Sequence, residues 1–162
     1  MAADILLDIP GVPGESKIKG FEGKIDVLSQ SFGVSNPSSV QYGGGAGTAK
    51  CNFQDLTIVK RVDKATPTFI LKTANGTHFS KATLILRKAS GGEPVQYLKY
   101  ELTEVFVTSW QVSDSGNSDQ FAMEHVSFSF GKVTVTYTSQ KDDGSDDSPT
   151  PITWNLAKNT QE

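Results

Sequence analysis

The sequence is poor in the residues from which most active sites are made. Its 162 residues include one cysteine, Cys51, and two histidines, His78 and His125. A lone cysteine excludes an intramolecular disulfide and any zinc site built on cysteine pairs. The histidines stand at no metal-ligand spacing, and His125 alternates with Ser127 on a polar strand face, as a solvated side chain does. An excess of positive charge is missing too: 15 basic residues against 18 acidic ones give a net charge of -3, with no basic stripe interleaved with aromatics. Nothing tracks a phosphate backbone, so nucleic acid is not an expected partner. No apolar run is long enough to cross a bilayer, so membrane insertion is not expected. The opening residues, MAADILLDIPGVPGES, carry acids where a secretory signal carries bases, and Asp8 and Pro10 break their apolar run. Any export must then use a route that reads no N-terminal signal.

Near-misses to catalytic motifs fail on spacing. The glycine run Gly43-Gly44-Gly45-Ala46-Gly47 invites a phosphate-loop reading, yet no Gly-Lys-Ser/Thr follows it, and Thr48 stands where GxGxxG needs its last glycine. Gly14-Glu15-Ser16 is not a nucleophile elbow, because Ile18 replaces the closing glycine. Asp142, Asp143, Asp146 and Asp147 resemble a cation site in charge only and fail calcium-loop spacing, so they read as a solvated acidic turn. The sequon Asn75-Gly76-Thr77 is better explained as a helix stop. No catalytic, metal or cofactor-binding residue is predicted, no cofactor is implied, and the chain does not read as an enzyme.

What is present is strand alternation and one helix. Thr66 as N-cap, Pro67 in the first turn and Asn75-Gly76 as a stop predict a helix near residues 66–75. Phe69, Ile70, Leu71, Thr73 and Ala74 cover more than half its circumference, a wider apolar face than one sheet covers. One side is expected to dock on the chain's own sheet, and the rest to be covered by a loop or by a neighbouring subunit. Ile5, Leu7 and Ile9 alternate along a first strand, and a second is expected from Glu15 to Ile18, resuming over Lys24 to Val34. Within it Leu28 and Phe32 take the core face, while Ser29 and Ser31 point the other way with Gly33. Gln54 to Val62 follows as a strand, and Ala82 to Leu86, apolar on both faces, as a central one.

Gln96 to Val112 alternates Leu98, Tyr100, Leu102, Phe106 and Trp110 against polar residues. Straight, it would run roughly 50 Å, so it must bend. In the next strand Val126, Phe128 and Phe130 are even and Val133, Val135 and Tyr137 odd, which predicts a β-bulge at Gly131. Ile152 to Leu156 closes the pattern. The fold class is all-β, mainly antiparallel: a small β-barrel or two-sheet sandwich with one short flanking helix, as a single domain over residues 1–162. The stretch from Gly33 to Lys50 exceeds the usual loop length of about 12 to 15 residues. No second domain is being joined, so it reads as a contact arm.

Taken in order, several stretches resemble the haemolysin-coregulated protein (Hcp) family, the tube protein of the bacterial type VI secretion system. They are Gly14-Glu15-Ser16-Lys17, Ile25-Asp26-Val27-Leu28, the glycine run before Lys50, Gln54-Asp55-Leu56, Asp63-Lys64 with Thr66-Pro67, Leu86-Arg87-Lys88-Ala89, and Trp154-Asn155. Gly20 to Gly23 matches less well and is given no role. The resemblance implies a homohexameric ring, rings stacked into a hollow tube, and small effector proteins carried in the lumen. It implies a spike protein and a contractile sheath as partners. It also implies synthesis in the bacterial cytoplasm and delivery outside the cell or into target cells. On that reading Ser29 and Ser31 face lumen and cargo, Gly43, Gly44, Gly45 and Gly47 serve ring stacking, and Phe69 and Leu71 meet a neighbouring subunit through the helix. With residues running only to Glu162, a plain tube subunit without a toxin domain is expected. The competing class is a monomeric β-sandwich that binds a ligand or carbohydrate, for which clustered exposed aromatics are needed.

Overall fold

Two long strands frame the molecule, whose computed structural model describes residues 3–37, 50–88, 93–117 and 121–162. In chain order the elements are β1 (Ala3–Asp8), β2 (Ile25–Val27), β3 (Ser29–Ser31), β4 (Val34–Ser35), β5 (Asn52–Phe53), β6 (Leu56–Arg61), α1 (Thr66–Asn75), β7 (His78–Lys88), β8 (Val95–Ser113), β9 (Met123–Tyr137), β10 (Thr150–Asn155) and β11 (Thr160–Gln161). β8 and β9 pair along most of their length. β7 and β1 extend the sheet on one side, β10 and β11 on the other, and β6 pairs the first half of β9. All these pairings are antiparallel. The sheet does not close into a barrel but folds over as a two-layer sandwich, one of the two architectures the sequence allows.

The bend has a residue-level cause. Along β9 the inward side chains are Val126, Phe128 and Phe130, then Val133, so the parity does switch at Gly131. The register does not slip there: Phe130 faces Val105 and Lys132 faces Thr103 in one continuous pairing. β8 switches parity on the same line, from Leu102 to Val105 around Glu104 at φ 54°, and β7 from Phe79 to Ala82. Three strands thus fold together, and the bulge expected at Gly131 is instead a shared crease; the β8–β9 register shifts between Val107 and Ser109, and the β7–β8 register between Leu86 and Arg87. Phe106 therefore points outward and is exposed, contrary to its expected core phase, while Val105 and Val107 turn in.

Both layers enclose one apolar core containing Ile25, Leu56, Ile58, Phe69, Leu84, Leu102, Val126 and Phe128. The predicted alternation of β1 is exceeded, since Leu6 is buried as fully as Leu7. Its side of the sheet, shared with Ile85 and Arg87, is covered by the 13–24 loop, where Phe21 stacks 4.8 Å from the Arg87 guanidinium. That loop is no strand from Glu15 to Ile18. It closes on Gly14, whose N–H donates to the Gly23 carbonyl at 2.7 Å. A Cβ there would fall 2.3 Å from the Lys24 carbonyl oxygen, so only glycine fits.

The helix spans the expected residues but starts differently. Thr66 is its first residue, not its cap; the cap is Ala65, with no side-chain bond. The Thr66 hydroxyl instead accepts from the Asp63 N–H at 3.0 Å, and Asp63 Oδ1 accepts from the Ala65 N–H at 2.8 Å. Gly76 ends the helix at φ 70°, its N–H donating to the Lys72 carbonyl. α1 packs on β8, with Phe69 set edge-on against Phe79 and Phe128.

Candidate functional site

The short strand β3 leaves the core for a surface. Its serines pair across to β6, Ser29 with Val59 and Ser31 with Thr57, and β6 pairs on to β9 and β9 to β8. Two rows therefore run across four strands: Ser31, Thr57, Ser127 and Ser109, and beside it Ser29, Val59, His125 and Gln111. Side chains at paired positions share a face. Ser29, Ser31, Ser109, Gln111 and His125 are exposed, and the Thr57 and Ser127 hydroxyls lie 3.1 Å apart. The two rows hold one titratable group, His125. Hydroxyls and an amide make a surface that accepts passing hydrogen bonds without a sticky apolar patch or a fixed charge to trap what meets it.

Behind these rows the same strands present the core. Gln30, between the two serines, turns inward beside the Tyr100 phenol; burial pushes that phenol's pKa up, with Gln30 opposing. Phe32 stacks on Tyr100 at 5.0 Å and Phe130 at 5.8 Å. Leu28 does not share its face as expected. The chain bends there between the β1 pairing of β2 and the β6 pairing of β3, and Leu28 is 47% exposed. With Val62 and Phe121 it lines an open groove of about 570 Å³, rimmed by Glu15, Lys17, Asp26, Arg61 and Asp63.

The helix residues separate. Phe69 is fully buried in its own core and cannot reach another subunit, whereas Leu71 is 58% and Ile70 41% exposed. Gly43, Gly44, Gly45 and Gly47 lie outside the described residues. The strands bracketing them, β4 and β5, pair Val34 with Phe53 and Ser35 with Asn52.

The sequence reading missed a buried polar cluster at the start of α1. Lys60 and Glu124 are both fully buried. The Lys60 ammonium contacts Glu124 Oε1 directly, and it donates to Asp63 Oδ1 at 2.8 Å and to the Arg61 carbonyl at 2.9 Å. Glu124 also accepts from the Thr66 hydroxyl at 3.0 Å and from the Trp110 indole at 2.8 Å. A signal was present: Lys60 is in phase with Leu56 and Ile58, and Glu124 with Val126 and Phe128, so each strand aims one charge of opposite sign inward. Among the described residues no cluster of side chains could hold a metal ion, and no helix is long and apolar enough to cross a membrane.

The model of the family described as "Type VI secretion system effector, Hcp" matches residues 6–137. The chain belongs to the Hcp family. Members of this family are type VI secretion tube proteins, structural and secreted. Protein hcp1 of Pseudomonas aeruginosa is 41% identical over 162 residues, 99% of either chain. A solved type six secretion system protein superposes with a TM-score of 0.92 at 25% identity, covering 99% of this chain and 100% of its own. Hcp1 from Salmonella typhimurium does so at 0.78 and 28%, each chain covered to 100%. These likenesses agree with the antiparallel strands and single helix of this Hcp chain.

Proposed function

We propose that the chain is a subunit of the type VI inner tube, forming six-membered rings that stack and carry small effector proteins in the lumen. The observation that carries the cargo half is the pair of small, polar rows through Ser29 and Ser31. A wide surface of hydroxyls backed by a rigid core suits a conduit that makes and breaks no bonds. Thr57, Ser127, His125 and Gln111 join the two serines as cargo-facing positions.

Ring contacts draw on the exposed Ile70 and Leu71 of α1, while the segment with Gly43, Gly44, Gly45 and Gly47 serves stacking between rings. Closed rings need a heterologous contact that repeats through a fixed rotation. Stacking is weaker, so that tubes come apart once outside the cell. The spike protein and the contractile sheath are the further partners, and delivery follows the type VI route, with the chain made in the bacterial cytoplasm.

Light scattering of the purified protein, with negative-stain microscopy of the same fraction, tests the assembly; six-fold rings are expected, and a strict monomer across a wide concentration range overturns it. The variant Ser31→Trp then tests the lumen assignment. Rings should remain, while retention of a co-expressed small effector drops by about tenfold, the equivalent of 1.4 kcal/mol. Unchanged retention by an assembled variant removes Ser31 from the cargo surface.

A further inference from the structure

The buried cluster beneath α1 asks for an explanation beyond stability. A buried ion pair is often matched or exceeded in stability by apolar residues of similar volume, so it argues for specificity more than for strength. Here its members come from five places: Lys60 on β6, Asp63 in the following turn, Thr66 at the first position of α1, Trp110 on β8 and Glu124 on β9. Thr66 is the point where the helix enters this set.

The rest of α1 is thinly held. Of its ten residues only Phe69 is fully buried, and Ile70 and Leu71 stand exposed beside it. One buried apolar anchor, with the Lys72 ammonium 5.3 Å from the Phe79 ring, leaves a short helix only loosely fixed in rotation. Thr66, with bonds of 3.0 and 3.1 Å to the two Glu124 oxygens, supplies the second anchor nearly one turn away. Two anchors define an axis and a rotation. Adjacent helical residues are about 100° apart, so a modest rotation would carry Leu71 off any surface it meets.

We propose that the Lys60–Glu124 cluster, acting through Thr66, is a positioning device that sets the orientation of α1 and with it the ability of the subunit to assemble. Thr66, Trp110 and Glu124 are positioning residues, acting through the helix they hold. The proposal rests on the ring reading for its assembly half and on the geometry above for its positioning half.

The test compares Thr66→Val, which keeps the shape and removes the hydroxyl, with Thr66→Ser, which restores it. Ile58→Val serves as a control that weakens the core beside the cluster while leaving every polar bond of the cluster in place. Two readouts are taken on the full chain: amide exchange along α1, and the protein concentration at which light scattering shows half-assembly. Thr66→Val should speed exchange in α1 about tenfold more than in β6 and β9, and raise the half-assembly concentration about tenfold. Thr66→Ser should restore both, and Ile58→Val should change neither beyond its global effect. Should Thr66→Val fail to fold, Trp110→Phe removes the indole donor to Glu124 while keeping an aromatic ring, and is expected to act in the same direction. Wild-type protection and assembly in the folded variant overturn the proposal, as does equal loss of assembly in Ile58→Val. A wild-type protein that never assembles overturns the ring reading and the assembly half with it, leaving α1 exchange to decide the positioning half.

Discussion

Burial decides what a charged residue does here, and two ion pairs make the point. Lys24 and Asp8 meet at 3.0 Å with both side chains more than a third exposed, while Lys60 and Glu124 meet with no exposure at all. Solvent screens the first pair, so Lys24→Ala should cost no more than about 1 kcal/mol. Lys60→Met leaves the Glu124 carboxylate buried without its cation and should cost about 3–5 kcal/mol. Urea unfolding midpoints at matched slope measure both, and equal losses would mean that the cluster is reached by water. Lys60 was legible only as a phase coincidence. Alternation put it with Leu56 and Ile58, but solvated lysines also interrupt such patterns, and only Glu124 on a strand 64 residues away resolves the choice.

At the scale of elements, the crease across β7, β8 and β9 rests on a non-glycine residue at positive φ. Glu104 at φ 54° lies on an exposed strand position. At an ordinary exposed strand position Glu→Val is neutral or stabilising. Glu104→Val should instead lower stability by about 1–2 kcal/mol, because a β-branched side chain crowds the backbone in the left-handed region. Thermal unfolding checks the sign. The parity switch at Gly131 was visible in sequence, but its structural meaning was not. One strand alone implies a bulge, and only the matching switches in its two neighbours keep the register. The helix shows the opposite balance: its span followed from Pro67 and Gly76, both local signals, whereas the role of Thr66 depended on Asp63 and Glu124.

The short strand β11 is held on β10 by two residue pairs and by Glu162, whose carboxylate meets Lys132 at 2.7 Å and Lys158 at 3.5 Å. The Lys132 bond, with that from Asn155, lowers the Glu162 pKa below its ordinary 4.5. A lowered folded-state value means that the contribution is complete above pH 4.5 and fades as pH falls through the lowered value. Protection of the amides of residues 160–162, taken relative to their intrinsic exchange rates, should therefore fall on acidification below that point, and Glu162→Gln should abolish the pH dependence of that protection. An unchanged profile in the variant would place the titration elsewhere.

For the whole molecule, assembly should be separable from folding. Leu71 is 58% exposed, so Leu71→Asp leaves the core intact and should change the unfolding temperature little, while a charge placed in the proposed apolar subunit contact should dissociate the proposed rings. Light scattering at a concentration where the wild type is assembled makes the comparison; intact rings would move the contact away from α1. The part of the β10 edge that β11 leaves uncovered is a poor alternative for joining subunits by strand pairing. Pro151, paired to Thr136 on the other side, offers that edge no N–H.

By itself the sequence determined the mainly antiparallel strands, the helix from Thr66 to Asn75 and the family, because alternation, caps and short motifs are properties of neighbouring residues. It also placed Ser29 and Ser31 outward, since parity within one short strand is local. The tertiary structure decided that Leu28 and Phe106 leave the core while Leu6 enters it, that Phe69 belongs to its own chain, and that two serines extend into rows with Thr57, Ser127 and His125. It alone brought Lys60 to Glu124. Each of these depends on cross-strand register or on what covers a face, and both are set by residues distant in sequence whose partners no local pattern names.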